Sequence, residues 1–287
     1  MVTLETAPSV DGAPGKREPG RAGRNLPIAI LVGLSLGALI LVPLYSPEPW
    51  TFVIVIAAAM GVGTYEVVKA LRVLGAQPPL IPLLAGGVAM VLLAYDQGTE
   101  SLFVALVLTV LASIVWRLAD PAEGYLRDTA AATFTAVYVP FLISFAALLL
   151  VPSDGPERVT AFIATVVCSD VGGYAAGVLF GRHPMAPSVS PKKTWEGFVG
   201  SVIACSVAGA IFFDQLFDAS PGLGVVFGLA VVVTATLGDL GESMVKRDIG
   251  VKDMGSLLPG HGGLMDRLDS LLPTAPVAFL LLSLFLD

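Results

Sequence analysis

The residues of this chain best suited to chemistry crowd into Ser243–Asp269, S-M-V-K-R-D-I-G-V-K-D-M-G-S-L-L-P-G-H-G-G-L-M-D-R-L-D. Lys246, Arg247, Lys252 and Arg267 supply positive charge there. Asp248, Asp253, Asp266 and Asp269 supply negative charge, with Glu242 just before them and His261 among them. The stretch lies between two long apolar runs in a chain only 14% charged. Charge that dense at a membrane boundary is costly unless it has a task. Both signs together point to anionic groups held by Lys and Arg and a divalent metal held by carboxylates.

Spacing sharpens this. Asp239, Glu242, Ser243 and Lys246 fall at i, i+3, i+4 and i+7, one face of a helix that ends at the membrane rim. Asp266 and Asp269 are three apart, on one face of the first turns of the next helix. Carboxylates on two helix ends, facing each other across a short loop, suit a Mg²⁺ cage, since the ion takes one or two carboxylates and fills its shell with phosphate oxygens and water. The alternative is structural pairing of these acids with Lys246, Arg247 and Arg267. Between the two helix ends, P-G-H-G-G offers backbone N–H groups to a phosphate through Gly262 and Gly263, with His261 as a further donor.

Two upstream stretches belong in the same account. Asp170 lies mid-run in V-C-S-D-V-G-G-Y, where a carboxylate either lines a polar cavity or is neutral and bonded to a neighbouring helix. Gly173, Gly177 and Gly181 put a small stripe on one face of that run, suited to helix packing, including contact between two copies in a homodimer. In S-P-K-K-T-W-E-G, Lys192 and Lys193 read alone are headgroup anchors, and Trp195 is an interfacial residue. His183 reads as a solvated loop residue, and Cys168 and Cys205 as small buried hydrophobes.

The elements that must position these residues are membrane helices. The chain is 55% hydrophobic with a mean hydropathy of +0.83, and its apolar runs reach the ~18 residues a spanning helix needs. Nine such segments are predicted, at 26–45, 50–68, 79–95, 101–117, 129–151, 159–181, 196–213, 221–241 and 264–286, separated by Pro, Gly or charge. Residues 1–25, rich in Pro, Gly and charge, read as a disordered cytoplasmic tail. The expected architecture is therefore an all-α polytopic membrane protein, divided into the tail, five helices over 26–151 and a catalytic region over 152–287. Alternate connections collect 15 of the 16 Lys and Arg residues on one side, leaving Arg158 on the other. The N-terminus is accordingly expected in the cytoplasm and the C-terminus outside.

The order S-x2-K-R-x4-K-D-x-G-x2-L-P-x-H-G-G-x2-D-R-x-D, carried by Ser243, Lys246, Arg247, Lys252, Asp253, Gly255, Leu258, Pro259, His261, Gly262, Gly263, Asp266, Arg267 and Asp269, resembles the C-terminal motif of phosphatidate cytidylyltransferases, the CDP-diacylglycerol synthases. The likeness extends upstream through Asp170–Arg182, Ser190–Gly197 and Gly238–Ser243, roughly the last 120 residues. It implies attack of phosphatidic acid on the α-phosphate of CTP, giving CDP-diacylglycerol and pyrophosphate.

Mg²⁺ would be held by Asp239, Asp266 and Asp269 with Asp170, and a second metal or a monovalent cation could join it. Asp239, Asp266, Asp269, Lys246 and Arg267 are the expected catalytic groups. Lys192, Lys193, Ser243, Arg247, Lys252, His261, Gly262 and Gly263 are the expected substrate contacts. The attacking phosphate is already anionic, so the task is to bring two polyanions together rather than to move protons. CTP would come from the cytoplasm and the lipid from the inner leaflet of the inner (plasma) membrane, with no nucleic acid among the partners. A transporter using Glu66, Asp170 and Asp239 as a cation path, or an enzyme acting with CTP on another lipid phosphate, are the rival readings.

Overall fold

The computed structural model describes residues 26–255, 257 and 262–287. The expected tail of residues 1–25 and His261 lie outside them. Residues 1–38 and 39–287 form separate units. Each of the nine apolar segments is a helix: α1 (Leu26–Leu44), α2 (Trp50–Leu71, continued by a 3-10 turn to Leu74), α3 (Leu80–Gln97), α4 (Thr99–Arg117), α5 (Tyr125–Leu149), α6 (Gly155–Phe180), α7 (Trp195–Phe217), α8 (Pro221–Ile249) and α9 (Met265–Leu286). Among the described residues eight of them, α2–α9, are long and apolar enough to cross a membrane, and the described part of α1, Gly33–Leu44, is a shorter apolar helix. In hydrocarbon every backbone group must be satisfied within the chain, which a helix does by itself. The described strands are a short antiparallel hairpin between α6 and α7, β1 (Pro184–Ala186) and β2 (Ser190–Thr194).

Local sequence accounts for the helix ends. Thr194 caps α7, its Oγ1 accepting from the Gly197 N–H at 3.1 Å. Pro221 starts α8, which stops at Gly250, a left-handed residue with φ 79° that only glycine adopts without strain. Lys246 and Arg247 occupy the last turn of α8, where positive charge faces the free carbonyls. Within α5 a π-turn spans Val137–Phe141 around Pro140, whose missing N–H breaks the regular ladder.

The helices that frame the site approach closely because glycine faces glycine. A Cβ on Gly172 of α6 would lie 2.9 Å from the Gly200 carbonyl of α7, and one on Gly197 would lie 2.9 Å from the Gly173 carbonyl. The next face of α7 meets α8 in the same way: a Cβ on Gly228 would lie 3.0 Å from the Ser206 nitrogen. The Gly173/Gly177/Gly181 stripe thus packs helices, as expected, against α7 of its own chain. Cys205, buried in this seam, donates to the Thr165 carbonyl at 3.4 Å and behaves as a small hydrophobe. Side chains from α2–α5 and from α6–α9 share one core, with Met60, Met90, Phe213, Phe227 and Leu282 fully buried.

Two arginines act as clamps. Arg117 at the end of α4 donates to Asp128 (2.9 Å) and to the carbonyls of Pro121 and Glu123, while Asp128 accepts the Gln77 N–H from the connection after α2. Arg158, the single basic residue on the acidic side, joins Asp154 (2.8 Å) and Asp287 (2.7 Å).

Candidate active site

The site is built where the ends of α6 and α8, the start of α9 and the β1–β2 hairpin meet. A cavity of about 410 Å³ lies between α6, α7, α8 and β2. Asp170 and Asp239 reach it from α6 and α8, Lys192 and Lys193 from β2. Lys193 Nζ sits 2.5 Å from Asp239 Oδ2. Tyr174, Val178 and Phe198 complete the wall, and the first two are 76% and 66% exposed. The mouth of a polar cavity therefore opens among apolar side chains on the outer face of α6.

A second cavity of about 360 Å³ lies on the other side of Lys192, lined by Ser190, Lys192, Ser243, Lys246, Arg247 and Lys252. The hairpin is tied to α8 here, Arg247 Nε donating to the Val189 carbonyl at 3.4 Å. Four cations and two hydroxyls around one space make a receptor for a polyanion. Lys192 borders both cavities. His183 is exposed yet held 2.5 Å from Glu196, whose other oxygen accepts the Arg182 and His183 N–H groups and anchors the hairpin to α7.

The expected face of α8 is present: Ser243 Oγ donates to Asp239 at 3.4 Å, and Lys246 Nζ lies 3.2 Å from Glu242. The expected four-carboxylate cage is not. Asp266 faces inward to its own loop instead of across to Asp239. Its Oδ1 accepts Lys246 Nζ (2.9 Å), and its Oδ2 accepts the N–H groups of Gly263 (2.8 Å) and Met254 (3.1 Å). Both Asp266 oxygens thus face donors of the protein, and the Gly263 N–H is one of them. Among the described residues no group of three or more His, Cys, Asp or Glu side chains is arranged to hold a metal.

What does fit Mg²⁺ is smaller. Asp170 and Asp239 line one cavity, and Asp269, whose Oδ1 accepts the Ser270 N–H at 2.6 Å, is close enough to repel both. One or two carboxylates with phosphate and water suffice for that ion. The Tyr138 hydroxyl and Glu242 Oε2 are also buried without a hydrogen bond among the described residues, while Glu242 Oε1 faces Lys246. Gly262 takes φ 79°, turning the loop tightly beside Asp253 and Asp266.

Glu66 of α2 has no part in the first cavity, so it, Asp170 and Asp239 do not share that space as the transporter reading requires. Its carboxylate instead accepts the Met265 N–H at 2.9 Å. The only signal in the sequence was an acid in an apolar run; nothing local names a partner 199 residues away.

Residues 27–285 match the model of the cytidylyltransferase family. The chain is 46% identical to the phosphatidate cytidylyltransferase of Mycobacterium leprae over 92% of its own length and 89% of that protein. It is 47% identical to the Mycobacterium tuberculosis protein of the same name, covering 93% and 85% of the two chains. To a chloroplastic phosphatidate cytidylyltransferase of Arabidopsis thaliana it is 28% identical, over 92% and 74%.

Proposed function

We propose that this chain, which belongs to the cytidylyltransferase family, transfers CMP from CTP to phosphatidic acid, giving CDP-diacylglycerol and pyrophosphate. The observation that carries the reading is the pair of cavities sharing Lys192: one basic, the other lined by two aspartates and two lysines and apolar at its mouth. The β- and γ-phosphates of CTP suit the basic cavity. The phosphate of a lipid suits the first, with its acyl chains passing Tyr174 and Val178 into the bilayer.

A phosphatidate oxygen attacks the α-phosphorus while the bond from that phosphorus to the β-bridging oxygen breaks, and pyrophosphate leaves carrying the charge. No proton need move. Lys192, at the boundary, is placed to hold the phosphate groups of both substrates, and Lys246, Arg247 and Lys252 to hold the departing charge. Lys193, paired with Asp239, keeps that carboxylate oriented. Mg²⁺ bound at Asp170 and Asp239 would supply further neutralisation of phosphate charge.

Purified protein given radiolabelled CTP, phosphatidate and Mg²⁺ should move label into the lipid phase, and diacylglycerol without its phosphate should be inert. Label on diacylglycerol would point to a CTP-using lipid kinase instead. The split of basic residues supports a cytoplasmic site in the inner (plasma) membrane. A reporter placed after residue 287 should read extracytoplasmic and one near Lys252 cytoplasmic, and reversal at either point overturns that orientation.

A further inference from the structure

We propose that Glu66 is a positioning residue for the CTP-binding half of the site: it holds, from α2, the loop on which Lys246 depends. This rests on the reading of the basic cavity as the CTP-phosphate site. Glu66 is 5% exposed and lies in a helix that contributes nothing to either cavity. Three pieces of backbone converge on its carboxylate. The Met265 N–H donates to Oε2 at 2.9 Å. A Cβ added to Gly263 would lie 2.6 and 2.7 Å from its two oxygens, and one added to Gly255 would lie 3.0 Å from its Cγ. The absence of a Cβ at both positions lets the loop backbone lie against this one side chain.

The same face of α2 receives the Met265 side chain, fully buried, at Gly63, where a Cβ would stand 3.3 Å from the sulfur. From there the links run outward without a gap. Gly263, pressed on Glu66, gives its N–H to Asp266 (2.8 Å); Asp266 accepts Lys246 Nζ (2.9 Å); Lys246 lines the basic cavity. Glu66 touches neither cavity, so its effect is on where the loop sits. A shift of about 1 Å at a phosphate-binding group is enough to cost a large factor in rate.

The test measures initial rates of the full chain in detergent micelles or nanodiscs, varying CTP and phosphatidate separately. Glu66→Ala should raise KM for CTP about tenfold or more and leave KM for phosphatidate within about twofold. Glu66→Gln, which keeps an oxygen for the Met265 N–H, should stay close to wild type. Should Glu66→Ala fail to fold, Gly263→Ala crowds the same carboxylate from the other side and carries the same expected signature. Gly263→Ala also presses on the Gly255 nitrogen (2.7 Å), so it displaces the same loop and its effect need not vanish in the Glu66→Ala background. Equal change in both KM values, no change in either, or a Gln variant as impaired as Ala would overturn the proposal. Wild-type protein that moves no label from CTP would instead overturn the function on which it rests.

Discussion

Exchange of Asp239 for asparagine is expected to lower CMP transfer about a thousandfold while the protein keeps its melting temperature. Asparagine retains the shape and one oxygen but not the charge. Two functions are lost together: the ion pair that orients Lys193, and the negative charge that with Asp170 would hold a divalent ion. The side chain is 30% exposed in the cavity, so the fold does not depend on it. Asp170→Asn should produce a loss of the same order. The Asp170→Asn/Asp239→Asn double variant should be scarcely worse than either single one, as residues that act as a unit are far from additive. Rates measured against rising Mg²⁺ or Mn²⁺ check the mechanism: the single variants should need more metal and recover in part, the double should not. Losses that multiply, with an unchanged metal requirement, would separate the two carboxylates.

Spacing alone also groups Asp266 and Asp269 with Asp239. Helix periodicity correctly placed Asp239, Glu242, Ser243 and Lys246 on one face, because a helix has a fixed repeat. Hydropathy located the helices for a similar reason, eight of them candidate spans among the described residues: a membrane span is a matter of length and polarity. It ended α8 eight residues early, at 241, because the last turns through Ile249 are charged and helical at once. Asp266 is different, because its partners were not legible in the sequence. Its role depends on which backbone N–H groups the loop folds back upon it, those of Met254 and Gly263. No periodicity describes a loop. Glu66 and the two cavities were still less legible, since both arise from helices far apart in sequence. Arg117 illustrates the same limit. Read as one of a set of positive charges marking a side, it is in the structure a buried clamp with its donors on Asp128, Pro121 and Glu123.

The contact with Asp266 makes Lys246 the residue on which fold and chemistry meet, and the two can be separated. Lys246 stands between Glu242, fully buried, and Asp266, whose side chain is 6% exposed. Lys246→Met removes the only cation paired with either of them among the described ion pairs and leaves two acids in a poorly solvated interior. Breaking a buried pair in this way costs about 3–5 kcal/mol, which for a chain of this size lowers the melting temperature by roughly 10 °C. CTP-dependent labelling of the lipid should also disappear, because the basic cavity loses one of its four cations and the loop bound through Asp266 is released. Adding Glu242→Gln removes one of the stranded charges while keeping the side-chain shape. The Lys246→Met/Glu242→Gln variant should therefore recover much of the lost melting temperature, read in detergent by the thermal unfolding of the helices. It should recover none of the activity, since no positive charge has been returned to the phosphates. A double variant as unstable as Lys246→Met would show that Glu242 is not what Lys246 neutralises. Restored activity would show that Lys246 serves the fold alone, and that Lys192, Arg247 and Lys252 bind the nucleotide without it.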